Sequence, residues 1–110
     1  MNNDDLILII FNPEKKDAEK LAHEIRNYLD KESIDNMVVS SKKISDVLCN
    51  RKYRLVITLG GDGTVLYCSR IFSPFQTPIL AVNFGEIGFI TEIERKKWKK
   101  ALDSFIEGNY

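Results

Sequence analysis

Leu55-Val56-Ile57-Thr58-Leu59-Gly60-Gly61-Asp62-Gly63-Thr64 is the stretch that decides the fold. Its first half is an apolar run of strand length without the polar alternation of a half-exposed strand. Its second half places three glycines within four residues, at a strand exit and ahead of a helix. Backbone without side chains can approach closely enough to touch phosphate oxygens there. Asp62 stands in the middle of that cradle. A carboxylate facing phosphates is repelled unless it holds a cation or takes a proton from an attacking hydroxyl. The conflict points to phosphoryl transfer rather than storage of a nucleotide. The competing structural reading is a tight turn whose aspartate caps the next helix, which is favourable in its own right. Three glycines exceed what a cap requires. Thr64 then supplies either a hydroxyl or a helix-start cap.

Working outward, Leu6-Ile7-Leu8-Ile9-Ile10-Phe11 reads as another strand covered on both faces. Asn12-Pro13 suits a helix start, with Asn as N-cap and Pro as the first helical residue. Ala18, Leu21, Ala22, Ile25 and Leu29 recur at helical spacing through roughly Lys31. Met37-Val38-Val39 predicts a short second strand, and Ile44, Val47 and Leu48 a short helix before Asn50. After the glycine turn, Val65, Leu66, Cys68 and Ile71 predict a helix beginning near Thr64, broken at Ser73-Pro74. Ile79-Leu80-Ala81-Val82 reads as a buried strand behind Pro78. Thr91-Glu92-Ile93-Glu94 matches a capping box, with the helix starting there or a few residues later. Trp98, Ala101, Leu102, Phe105 and Ile106 give that helix its apolar face, and Gly108 its stop. Strands alternating with helices imply an α/β fold, a parallel Rossmann-like three-layer sheet with helices on both faces. Ligands of such sheets bind beyond the carboxyl ends of the strands, where both glycine turns fall.

Composition narrows the function classes. The 110 residues fit one domain, and 16 basic against 16 acidic residues leave no net field for nucleic acid or an anionic membrane. The apolar runs are too short to span a bilayer, and Met1-Asn2-Asn3-Asp4-Asp5 lacks the basic start of a secretory signal. A soluble, cytoplasmic protein is expected, with Cys49 and Cys68 as reduced, buried thiols. Arg95-Lys96-Lys97 and Lys99-Lys100 read as a solvated helix face around an inward Trp98. His23, the only histidine, reads as a surface residue of the first helix.

A second glycine turn follows the Ile79–Val82 run. In Asn83-Phe84-Gly85-Glu86-Ile87-Gly88-Phe89-Ile90-Thr91, the asparagine can donate and accept hydrogen bonds and the glycines free the backbone. Phe89 either lies against an adenine or begins the next packed element. The spacing differs from the three-glycine dinucleotide fingerprint, so a standard Rossmann assignment does not follow.

Gly-Gly-Asp-Gly-Thr after a buried strand, followed about twenty residues later by Asn-x-Gly-x-x-Gly-Phe-x-Thr, resembles the paired signature of the NAD kinase family. The early Asn12-Pro13 and the closing Phe105-Ile106-Glu107-Gly108-Asn109-Tyr110 are similar to further patterns of that family. The resemblance spans nearly the whole chain. It identifies residues 1–110 as an amino-terminal α/β nucleotide-binding domain of the bacterial type, whose carboxy-terminal β-rich partner domain lies outside this chain. It implies ATP-dependent phosphorylation of the 2′-hydroxyl on the adenosine ribose of NAD, giving NADP. Asp62 would be the catalytic proton acceptor. Gly60, Gly61, Asp62, Gly63, Thr64, Asn83, Gly85, Gly88, Phe89 and Thr91 would contact the nucleotides. A divalent ion, Mg²⁺, would offset phosphate charge, its protein ligands unknown, and the complete enzyme would be a dimer or tetramer. The partners implied are small-molecule nucleotides.

Two positions depart from the pattern. Tyr67 stands where relatives carry a basic residue or His, and Glu86 where they often carry a basic residue, so neither is assigned a binding role. The family's Asn-acidic pair in the following domain is not in this sequence, which predicts little or no turnover by these 110 residues alone. Other readings are a lipid kinase or phosphofructokinase relative, which share a Gly-Gly-Asp-Gly segment, or a non-catalytic nucleotide-binding module. The Pro78–Gly85 stretch does not match the lipid-kinase pattern.

Overall fold

The structure is a computed structural model that describes residues 5–45, 51–84 and 93–108. The helix expected around Val47 and Leu48 lies outside the described residues, as does Cys49. Five strands run β1 (Ile7–Phe11), β2 (Asn36–Ser40), β3 (Leu55–Gly60), β4 (Ile79–Asn83) and β5 (Ile93–Glu94). They form one sheet in the order β2-β1-β3-β4-β5, every neighbouring pair parallel. The helices are α1 (Ala18–Lys31), α2 (Asp62–Phe72) and α3 (Trp98–Ile106), with short 3-10 turns at Ser73–Phe75 and Arg95–Lys97.

The unalternating apolar runs become strands because both faces of the sheet are covered. Successive side chains of a strand point to opposite faces, so one continuous run supplies two cores. Ile7, Ile9 and Phe11 join Leu55, Ile57 and Leu59 under the stripe Ala18, Leu21, Ala22, Ile25 and Leu29 of α1, together with Leu102 of α3. Leu8, Ile10 and Val56 face the other way, onto Tyr53, Cys68 and Phe72. Each such side chain contributes about 1.5–3 kcal/mol on burial, so the two central strands carry most of the driving force. The three-layer arrangement expected from sequence is the one observed. Cys68 is a buried free thiol.

Strand order also fixes where a ligand can enter. From β1 the chain steps to one side for β2, then returns past β1 to lay down β3 on the other side. The connections leaving β1 and β3 therefore diverge, and a crevice opens at the carboxyl ends of those two strands.

One helix start differs from the sequence expectation. Asn12-Pro13 opens a turn rather than α1: the Asn12 Oδ1 accepts the Glu14 N–H at 3.0 Å, satisfying that amide locally. The helix begins only at Ala18, after Asp17 in a left-handed conformation with φ 68°. α2 begins at Asp62, close to the expected start near Thr64. At the other end of the chain Ile93–Glu94 pairs with β4 as a strand rather than opening the helix, and α3 starts at Trp98, a few residues later, as the sequence allowed. The stop at Gly108 is as expected, with φ +85° and its N–H donated to the Phe105 carbonyl at 3.0 Å.

α1 and α3 are joined by Tyr28, a residue without a sequence pattern. Its ring meets Trp98 edge-on with centroids 5.7 Å apart, Lys99 sits 5.0 Å over its face, and its hydroxyl donates to the Asp103 carboxylate. That hydrogen bond, reinforced by partial burial and by the charge on Asp103, pushes the Tyr28 pKa up from 10.0 to about 12. A tyrosine whose proton is held more tightly when folded stabilises the fold fully below pH 10, and that contribution is lost as pH rises towards 12. Urea unfolding of the 110-residue chain should show this loss between those two pH values, and Tyr28→Phe should show a smaller one. An equal loss in both proteins contradicts the assignment.

Candidate active site

The crevice is built from the exits of β1, β3 and β4, tied together by backbone hydrogen bonds. The Asn12 N–H donates to the Leu59 carbonyl at 2.9 Å, and the Phe84 N–H to the Gly60 carbonyl at 2.9 Å. Gly60, the last residue of β3, lies in register with Asn83, the last of β4. Gly61 caps α2 with extended backbone, and its carbonyl accepts the N–H groups of Thr64 at 3.1 Å and Val65 at 3.3 Å. Asp62 and Gly63 open the helix. Gly60, Gly61, Asp62, Gly63, Thr64 and Asn83 are thus gathered at one sheet end. Gly85, Gly88, Phe89 and Thr91 lie outside the described residues, as does Glu86.

The three glycines of the turn do different things. A Cβ at Gly60 would lie 2.6 Å from the Thr64 Oγ1, 3.1 Å from its Cβ and 3.3 Å from the Asn12 Cβ. Gly60 is therefore the contact surface on which Thr64 and Asn12 close. A Cβ at Gly61 or at Gly63 would meet nothing within 4 Å, and neither residue takes a positive φ. Nothing inside the described chain asks for glycine at those two positions. Their bare backbone faces outward at the start of an 11-residue helix, where N–H groups are left without intrahelical partners.

Thr64 is buried, with 9% of its surface exposed, on the third residue of α2, so its role is packing against Gly60 rather than capping. Asp62 is half-buried and its Oδ1 is sealed from solvent, so the carboxylate is set into the crevice wall. The N-cap position itself is Gly61, and Asp62 is the acidic residue of the first turn of α2, where a carboxylate is favoured by the helix dipole. Among the described residues, no group of three or more His, Cys, Asp or Glu side chains could hold a metal ion. A divalent cation here would therefore rely on phosphate oxygens and water for most of its shell, with Asp62 the carboxylate these residues offer beside the glycine turn, as suits Mg²⁺.

Charge on the same sheet end comes from a segment expected to lie on the α3 face. Arg95–Lys97 forms a turn after β5, and the Arg95 guanidinium sits 4.6 Å over the Phe84 ring, with a nitrogen 3.7 Å from the Asp17 carboxylate. Both partners of that ion pair are half exposed, so it orients Arg95 more than it stabilises the fold. Lys96, Lys97, Lys99 and Lys100 are exposed, as expected, and Trp98 packs against the core. Asn12 and Phe84 are the residues sequence reasoning undervalued. Each is the first residue after a buried strand, and that position was the available signal.

These observations define a parallel α/β domain with a glycine-lined, carboxylate-bearing crevice at its topological switch point. A family profile described as the ATP-NAD kinase N-terminal domain matches residues 7–110. The chain is 39% identical to the NAD kinase of Treponema denticola over 103 residues, covering 93% of this chain and 36% of that protein. It is 36% identical to the NAD kinase of Natranaerobius thermophilus over 88 residues, 80% of this chain and 31% of the relative. With the NAD kinase of Aquifex aeolicus it shares 34% identity, covering 93% of this chain and 37% of the relative. The chain belongs to the ATP-NAD kinase family, matching its amino-terminal domain. It spans about a third of the length of these relatives.

The division among the glycines has a direct consequence for stability. Gly60→Ala should lower the unfolding free energy by about 1–3 kcal/mol through overpacking against Thr64. Gly63→Ala, in a helical turn with open space, should leave it unchanged or raise it by up to about 1 kcal/mol. Denaturant titration of both variants checks this, and equal destabilisation would contradict the assignment.

Proposed function

We propose that this domain supplies half of a NAD kinase active site, phosphorylating the 2′-hydroxyl on the adenosine ribose of NAD with ATP as donor. The observation that carries the reading is Asp62 at the first residue of α2, between two glycines whose outward space no part of the described chain fills. Family membership supports the same chemistry, since the relatives are named NAD kinases.

On this reading the ribose 2′-oxygen attacks the γ-phosphorus of ATP, and its proton passes to the Asp62 carboxylate. The bond from the γ-phosphorus to the β–γ bridging oxygen breaks, releasing ADP. Little covalent work is left to the protein, so positioning and electrostatics dominate. The amides at the start of α2 bind phosphate oxygens, and Gly61 and Gly63 admit them without a clash. Asn83, opposite Gly60 in the sheet, holds the nucleotide by its amide. Gly85, Gly88, Phe89 and Thr91 extend the nucleotide contact along the following segment. Mg²⁺ bound with ATP neutralises phosphate charge.

The relatives are about three times as long as this chain, and on this reading a carboxy-terminal β-rich domain of the complete enzyme supplies the other wall of the site. The complete enzyme is cytoplasmic and assembles as a dimer or tetramer. No helix among the described residues is long and apolar enough to cross a membrane.

The 110-residue chain alone should give little or no NADP from NAD, ATP and Mg²⁺. Joined to the portion of the Treponema denticola relative beyond the aligned segment, it should be active. In that fusion Asp62→Asn should cut turnover by at least about a hundredfold, the scale of general-base catalysis. Gly63→Ala should lower kcat/KM while the fold keeps its stability. Retained activity in the Asp62→Asn fusion would sink the proton-acceptor role.

A further inference from the structure

A second recess lies at the opposite end of the sheet from the crevice, where the chain leads into β3 and β4. There the Arg54 N–H donates to the Leu6 carbonyl at 2.9 Å, and the Val56 N–H to the Pro78 carbonyl at 3.0 Å. The last turn of α3 closes the same recess. Its volume is about 520 Å³, within the range of small-molecule sites. Lys52, Arg54 and Gln76 give it polar groups, and Pro78, Phe105 and Ile106 an apolar wall. No acidic residue lines it, and neither Lys52 nor Arg54 has an ion-pair partner among the described residues. Arg54 is half-buried all the same. The neighbouring Arg51 is engaged elsewhere, 4.7 Å over the ring of Tyr53, which is 1% exposed and stands edge-on to Phe72.

We propose that this recess is a second ligand site, for a small organic carboxylate with an apolar body. Charge selects an anion. The carboxyl end of α3 carries partial negative charge that one cation would balance, and an ammonium with a half-buried guanidinium leaves positive charge over. The apolar wall selects an organic anion, since an inorganic one would leave Pro78, Phe105 and Ile106 in contact with water. The backbone selects carboxylate over phosphate. The helix end at this recess is the carboxyl end of α3, whose carbonyl oxygens oppose a doubly charged group more than a singly charged one. Gln76 adds an amide at the rim. Its backbone is left-handed, with φ 56°, and its N–H is donated to the Ser73 carbonyl at 2.9 Å. The six residues of β3, about 20 Å of strand, separate the recess from the glycine turn. The site is therefore distinct from the crevice, and the inference stands apart from the NAD kinase reading.

The test is a titration of the 110-residue chain, labelled with nitrogen-15, followed by amide NMR at constant ionic strength. Three probes are used: sodium benzoate, the neutral benzamide and inorganic phosphate. Benzoate should shift the amides of Lys52, Arg54, Gln76 and Gly108 saturably, with a Kd of about a millimolar or tighter. Gly61 and Gly63 should not move. Benzamide and phosphate should bind at least about tenfold more weakly, the scale of one charge-assisted hydrogen bond or of the lost apolar contact. Lys52→Gln and Arg54→Gln should each weaken benzoate by at least about tenfold, and Lys20→Gln on α1 should leave it unchanged. Lys52 is exposed, so its variant keeps the fold and remains a test if Arg54→Gln does not. No saturable shift, shifts confined to the crevice amides, benzamide or phosphate binding as tightly as benzoate, or parent affinity in Lys52→Gln each overturns the proposal. None of these measurements needs turnover, so failure here and failure of the kinase reading are separate results.

Discussion

The missing side chain at Gly60 is the constraint on which the rest of the site depends. Thr64 and Asn12 both come within van der Waals reach of the place a Cβ would occupy. With Thr64 seated there, α2 starts immediately beyond β3, and its first turn lies over the exit of β1. A methyl group would push the helix start away from the sheet and with it the Asp62 carboxylate. In an interior packed at crystal density, such a displacement cannot be absorbed locally. The position of the carboxylate is thus set by packing beneath it, while its chemistry is set by what lies above.

That packing works because the two central strands are rigid. β1 and β3 are buried on both faces along their length, and their side chains feed separate cores on the two sides of the sheet. Losing one large core side chain costs about 2–5 kcal/mol, a sizeable share of a domain's net stability. The strand exits therefore hold still, and the loops between them inherit a fixed frame. Asn12, Gly60 and Phe84 are joined by backbone hydrogen bonds rather than by flexible side chains. The crevice follows from strand order, and strand order follows from which apolar runs the chain provides and in what sequence.

The sheet was legible because continuous apolar runs such as Ile7–Phe11 and Leu55–Leu59 have few other uses in a chain of this size. The stripe of α1 was legible for the same reason, since burial of one helix face leaves a periodic trace. Helix starts were less legible. At Asn12-Pro13 two mechanisms compete for the same residues, a cap and an Asx-type turn, and the local hydrogen bond to Glu14 wins. Ile93–Glu94 has the composition of a helix start, but pairing with β4 is a long-range contact that local pattern does not encode. Tyr28 was silent in the sequence because its partners, Trp98 and Asp103, lie on another helix. At the site, the glycine turn announced itself, yet sequence alone gave its three glycines one shared reason. The structure separates Gly60, against whose place Thr64 and Asn12 pack, from Gly61 and Gly63, where a Cβ would meet nothing among the described residues.

That separation says what kind of object the domain is. Glycine carries a cost in chain entropy, and among the described residues nothing packs where a Cβ would stand at Gly61 or Gly63. Gly61 and Gly63 open towards the space where phosphates are proposed to lie. The start of the helix is therefore shaped less by its own chain than by what binds beside it. Backbone without a Cβ lets the first-turn amides, which have no intrahelical partners, approach a ligand's oxygens directly. Asp62 sits between the two bare residues, where a carboxylate can meet the same ligand.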